Sequence, residues 1–142
     1  LPNLIPKHTL IVHHGNEYKA FKIDGNLTVN GHFFISISDI YNPLYITGNL
    51  IVNGDLIIGS ETFLFVEGKT TVRHLIHSLS DGGYANFIGD IDSESIVSLS
   101  ETSNIYKGKK SIKSKGKLLK EYEEKSGFEL FELLKQGEKI FK

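Results

Sequence analysis

Four glycines, Gly25, Gly48, Gly68 and Gly89, recur at steps of 23, 20 and 21 residues in similar surroundings: Ile23-Asp-Gly-Asn-Leu27, Ile46-Thr-Gly-Asn-Leu50, Val66-Glu-Gly-Lys-Thr70 and Phe87-Ile-Gly-Asp-Ile91. A period near twenty-one residues marks a stacked solenoid, in which each unit buries its apolar side only against its neighbours. With each glycine as position zero, the columns at −4, −2, +2, +4, +8 and +10 are apolar at 21 of 24 places. A composition of 39% hydrophobic residues would give about nine by chance. The exceptions are Thr70, Ser93 and Ser78.

Spacing inside each unit is two residues, the strand period, which puts the apolar set on one face of short strands. The expectation is an all-β solenoid: a short parallel β-helix of about four turns, three strands per turn, right-handed, with ladders of Ile, Leu, Val and Phe inside. Asn30-Gly31 and Asn53-Gly54 suit its corners, because both residue types tolerate positive φ. No helical segment separates the runs, which excludes a sheet built from βαβ units.

The 142 residues read as a single domain in three parts: N-terminal strands over 1–20, the β-helix body over 21–105, and a basic linker with C-terminal helices over 106–142. Leu10–His14 and Glu17–Phe21 read as two strands around Gly15-Asn16, a hairpin or corner that caps the first turn. His13, His14 and Glu17 read as surface residues near that turn rather than as metal ligands, since adjacent strand residues point to opposite faces. Residues 100–116 read as a polar Lys-rich connector. Beyond it, Leu118, Leu119 and Tyr122 make one apolar stripe, and Phe128, Leu130, Phe131, Leu133 and Leu134 a second. Ser126 and Glu129 have capping-box spacing, and Gly137 is a natural stop. This tail is expected to fold back over the end of the last turn or over an outward strip of Phe34, Ile57, Leu75 and Ile96, because neither surface is stable alone in water.

The chain has no cysteine, which excludes disulfides and thiolate chemistry. No apolar run is long enough to span a bilayer, and residues 1–12 are too broken by Pro2, Pro6, Lys7 and His8 to read as a signal peptide. A cytoplasmic protein is expected. Residues 1–105 carry five basic and eleven acidic side chains, net −6, and 106–142 carry eleven and six, net +5. An acidic body argues against nucleic acid as partner.

No Ser-His-Asp, Cys-His, metal-cluster or phosphate-loop pattern is present, so neither catalysis nor a cofactor is expected. His74 and His77 lie three apart on a strand and face opposite ways, and His32 and His77 read as near one outer edge. Asp90, Asp92 and Glu94 share one strand face, where Lys69 and Arg73 one turn below are expected to pair with Asp90 and Glu94. Asp39, Tyr41, Asp81 and Tyr84 stand on loops between units. Together these seven residues are the candidate partner contacts.

The runs Gly25-Asn-Leu-Thr-Val-Asn-Gly and Gly48-Asn-Leu-Ile-Val-Asn-Gly-Asp-Leu resemble short β-helix proteins of two kinds. One is found beside bacterial polymorphic or contact-dependent toxins and the other is the bactofilin-type polymer of the bacterial cytoskeleton. The first resemblance implies an immunity protein that binds a cognate protein toxin, with a basic nuclease the partner an acidic body would suit. The second implies self-association through the solenoid ends. A weaker resemblance to hexapeptide acyltransferases rests on the six-residue steps from Gly25 to Gly31 and from Gly48 to Gly54.

Overall fold

The computed structural model describes residues 3–4, 7–13, 21–37, 43–59, 62–77, 84–99, 105–114 and 116–142. Among the described residues twelve strands and two helical segments follow in order. The strands are β1 (Asn3–Leu4), β2 (Lys7–His13), β3 (Phe21–Ile23), β4 (Asn26–Ile37), β5 (Leu44–Ile46), β6 (Leu50–Ile58), β7 (Phe63–Val66), β8 (Thr70–His77), β9 (Tyr84–Phe87), β10 (Ile91–Ser98), β11 (Ile105–Tyr106) and β12 (Lys110–Ile112). A 3-10 turn over Lys120–Tyr122 and helix α1 (Gly127–Lys135) complete the chain.

Every strand pairing is parallel, and the strands sort into two sheets. One runs β1-β4-β6-β8-β10-β12, with β2 also on β4, and the other runs β11-β9-β7-β5-β3. From β3 to β12 successive strands alternate between the two sheets, which makes four turns of a β-solenoid with a partial rung at each end. The expected second and third strands of each turn are one long strand bent at its middle. In β4 the bend is at Asn30-Gly31, where Gly31 takes φ 138° and lets the ladder turn without breaking. Residues 7–13 do not form half of a hairpin with β3, because β2 lies parallel to β4 as an added rung.

Inside are the expected ladders. Leu27, Leu50, Thr70 and Ile91 stack in one column, and Val29, Val52, Val72 and Ser93 in the next. Leu50, Ile46, Leu56 and Phe33 are fully buried. The position-zero glycines stack backbone on backbone: the Gly48 N–H donates to Gly25 O and the Gly68 N–H to Gly48 O, at 2.8 and 2.9 Å. A Cβ on Gly89 would strike the carbonyl of Gly68, so the column requires glycine for close approach.

Two expectations are corrected. First, the corner of the third turn is one residue shorter than those before it. Val52 pairs with Val72, but Asp55 pairs with His74 and Leu56 with Leu75, so Gly54 has no counterpart. Leu75 and Ile96 therefore point into the core, while Ile76 and Val97 point out. The outward strip is Phe34, Ile57, Ile76 and Val97. Second, residues 100–116 contain a further rung: β11 pairs with β9 and β12 with β10, and Tyr106 stacks on Phe87 at 5.4 Å.

The tail covers the outward strip in its corrected register. Leu118, Leu130, Phe131, Leu134 and Ile140 form one apolar cluster with Phe34, Ile57 and Ile76, and Phe131 lies stacked 6.0 Å from Phe34. Helix α1 starts where the sequence places it: Ser126 accepts from the Glu129 N–H at 3.1 Å while Glu129 accepts from the Ser126 N–H. Gly137, at φ 83°, ends it. Ser126→Ala should cost about 1 kcal/mol, read as a small drop in the urea midpoint, because one helix N–H loses its acceptor.

Candidate functional site

The corner that bends the long strands carries one chemically capable residue per rung. The register sets Asp55 (β6), His74 (β8) and Ser95 (β10) in a single column, which ring stacking and hydrogen bonds extend to His32 (β4) and His8 (β2). The His8 and His32 rings are stacked, with centroids 5.1 Å apart and planes 4° apart. His8 Nδ1 accepts the N–H of His32 at 2.9 Å, and His32 Nδ1 accepts the N–H of Asp55 at 3.1 Å. An accepting Nδ1 carries no proton, so each imidazole holds its hydrogen on Nε2 and stands in for the backbone acceptor that the bend removes.

Asp55 is fully buried, and its carboxylate is gripped side-on by Arg73, with Nε to Oδ1 at 3.0 Å and Nη2 to Oδ2 at 3.2 Å. The bond to Asp55 raises the Arg73 pKa further above its ordinary value. Arg73 was expected to meet Glu94, its neighbour in register on β10, but the guanidinium is taken by Asp55 instead. Because half of Arg73 is in water, Arg73→Met should cost roughly 1–2 kcal/mol in a denaturant titration, less than for an enclosed pair.

His74 Nδ1 lies 2.6 Å from Ser95 Oγ, and its ring stacks on Phe141 at 3.8 Å. Burial holds both His32 and His74 below the ordinary histidine pKa. A cleft of about 430 Å³ opens between this corner and the C-terminal segment, lined among others by His32, Arg73, His74, Glu138 and Phe141. Ser95, His74 and Asp55 follow each other in the order of a nucleophile, base and orienting acid. The geometry does not serve that chemistry: Ser95 is fully buried and the Asp55 carboxylate is turned onto Arg73. The column is a polar seam that closes the backbone of the corner.

The sequence missed this seam because the one-residue deletion hides the alignment of Asp55 with His74. His32 and His77 do not share an outer edge, since His77 lies inside the core beside Tyr106.

Of the residues expected to contact a partner, Asp39, Tyr41 and Asp81 lie outside the described residues, as does the side chain of Tyr84. His14 and Glu17 also lie outside them, with the side chain of His13. Asp90, Asp92 and Glu94 do share the outer face of β10, with Asp90 and Glu94 exposed. Asp90 Oδ1 accepts the N–H of Lys109 at 2.9 Å, a bond repeated up the same column where Asn26 Oδ1 serves Asn49 and Asn49 Oδ1 serves Lys69. Asp92 is 3.9 Å from Lys113 Nζ. Above them the face is flat and polar, with Asn53 Nδ2 donating to Asn30 Oδ1 at 2.8 Å.

Among the described residues no group of three or more His, Cys, Asp or Glu is arranged to hold a metal ion, and no helix is long and apolar enough to cross a membrane. No protein-family model, curated protein or solved structure matches the chain.

Proposed function

We propose that this chain is a non-catalytic binding protein that neutralises a cognate bacterial toxin by direct contact, an immunity protein of a contact-dependent or polymorphic toxin system. The observation that carries the reading is the use made of the chemically capable residues. His32 bonds the backbone N–H of Asp55, His74 bonds Ser95, the Asp55 carboxylate is held by Arg73, and Asp55 and Ser95 are fully buried.

What is left for function is a solenoid scaffold with polar residues on its outer faces, the form of a recognition surface. Asp90, Asp92 and Glu94 on β10, with Asp39, Tyr41, Asp81 and Tyr84 in and beside the loops, would meet a basic partner. Charges so placed chiefly speed association and fix partner choice. An end-to-end polymer is disfavoured by Lys110, whose place in an inward column at the last rung puts a charge where a second copy would need an apolar residue.

The test is binding to the product of the neighbouring gene, followed by stopped-flow association. Asp92→Lys with Glu94→Lys should slow association about tenfold or more and leave the melting curve nearly unchanged. No binding to that product, or filaments in the electron microscope, would overturn the reading in favour of a structural role.

A further inference from the structure

We infer that the open end of the solenoid at β11 and β12 is a docking edge for an extended, acidic segment of a partner protein, which would add the next rung. This surface is separate from the acidic face of β10, and the inference stands without the reading above.

Two independent observations meet at this end. The first is backbone: among the described residues β12 is the last strand of its sheet and β11 the last of the other. A parallel strand bonds alternately to its two neighbours. The Lys109 carbonyl accepts from the Ile91 N–H at 2.8 Å and the Lys113 N–H donates to Ser93 O at 3.2 Å, so those residues face β10. By the same alternation the N–H and C=O groups of Lys110 and Ile112 face the open side, and Lys110, Ser111 and Ile112 are all exposed.

The second observation is charge. Residues 102–120 hold seven lysines and no acidic residue. Lys107, Lys109, Lys110 and Lys113 lie exposed along the terminal rung, where Lys113 reaches Asp92 only at 3.9 Å. Lys110 occupies the inward column beneath Ile91, with Nζ 4.9 Å from the centre of the Tyr106 ring. A strand laid on β12 would sit about 4.8 Å away, so its side chains would stack directly on these. Carboxylates over Lys109, Lys110 and Lys113 and an apolar residue over Ile112 complete the columns.

The same charges select against other occupants. A second copy of this chain would present Lys7 on its own edge strand β2, adding a like charge to the lysines of the rung. Nucleic acid would find no aromatic platform on the rung, since Phe87 stacks on the half-buried Tyr106 ring and Lys110 lies over it.

The probe is a fluorescein-labelled octapeptide containing Glu-Glu-Thr-Val-Glu, which matches Lys109–Lys113 residue by residue, titrated against the full chain by anisotropy. It should bind, weaken about tenfold or more between low and high salt, and slow hydrogen exchange at the Lys110 and Ile112 amides. Lys109→Gln with Lys113→Gln should weaken it by a similar factor without altering the melting curve, and backbone N-methylation of the peptide should abolish binding. Equal binding of the N-methylated peptide, or of oligothymidylate of the same charge, would reduce the edge to a non-specific cationic patch and overturn the inference. So would protection confined to other strands, or no binding at all.

Discussion

A chain ended after Gly116 should self-associate and lose several kcal/mol of stability, because that cut removes the cover of the outward strip while leaving the described rungs of the solenoid in place. Phe34, Ile57 and Ile76 are now 6%, 0% and 0% exposed, and their neighbours Leu130, Phe131, Leu134 and Ile140 would all be gone. Returning each of the three to water costs roughly 1.5–3 kcal/mol, so the sum lies at the scale of a small domain's whole stability. The strip would also be a continuous apolar ridge along four parallel strands, the kind of surface that finds another copy. Size-exclusion chromatography should show dimers or aggregates and calorimetry a much lower midpoint. A soluble monomer of nearly unchanged midpoint would mean that the tail rests on the body without supporting it.

How much of this was legible in the sequence divides along a physical line. The interior columns were readable because a strand has a fixed period of two and the stacked glycines mark each turn. The third corner was not, since dropping one residue swaps inside for outside and the sequence offers apolar residues to both. Leu75-Ile76 and Ile96-Val97 satisfy either register, so the pattern that finds strands cannot say which of each pair points inward. The last rung was invisible for another reason. Its inward position is filled by Lys110, which destroys the apolar signal at the place where a solenoid must stop adding strands. The helix cap was legible at residue level because Ser126 and Glu129 interact locally. The corner seam was not, because His8, His32, Asp55, His74 and Ser95 are brought together only by long-range contacts, 19 to 24 residues apart.

The buried imidazole of His77 should make the protein lose about 3 kcal/mol between pH 6.5 and pH 4. His77 is 1% exposed in the core, its Nε2 paired with the Tyr106 hydroxyl and its Nδ1 without a protein partner. Charging it there would bury an imidazolium with no counter-charge, and this desolvation pushes its pKa down to about 4. Unfolded, it titrates near 6.5. The folded pKa is thus the lower one, so as pH falls the unfolded chain takes up the proton first. The contribution is complete above pH 6.5, shrinks through the window, and is gone below the folded value. A shift of that size, at about 1.4 kcal/mol per pH unit, gives the figure stated. His32 and His74 are lowered in the same direction by burial and add to the same slope. Urea titrations at pH 7.5, 5.5 and 4 would show the loss. In the double variant His77→Leu with Tyr106→Phe, which removes the titrating group and the hydroxyl left behind, much of the slope should disappear. An unchanged slope in that variant would move the acid sensitivity to the corner, where protonation of His32 removes the Nδ1 acceptor it offers to the Asp55 N–H.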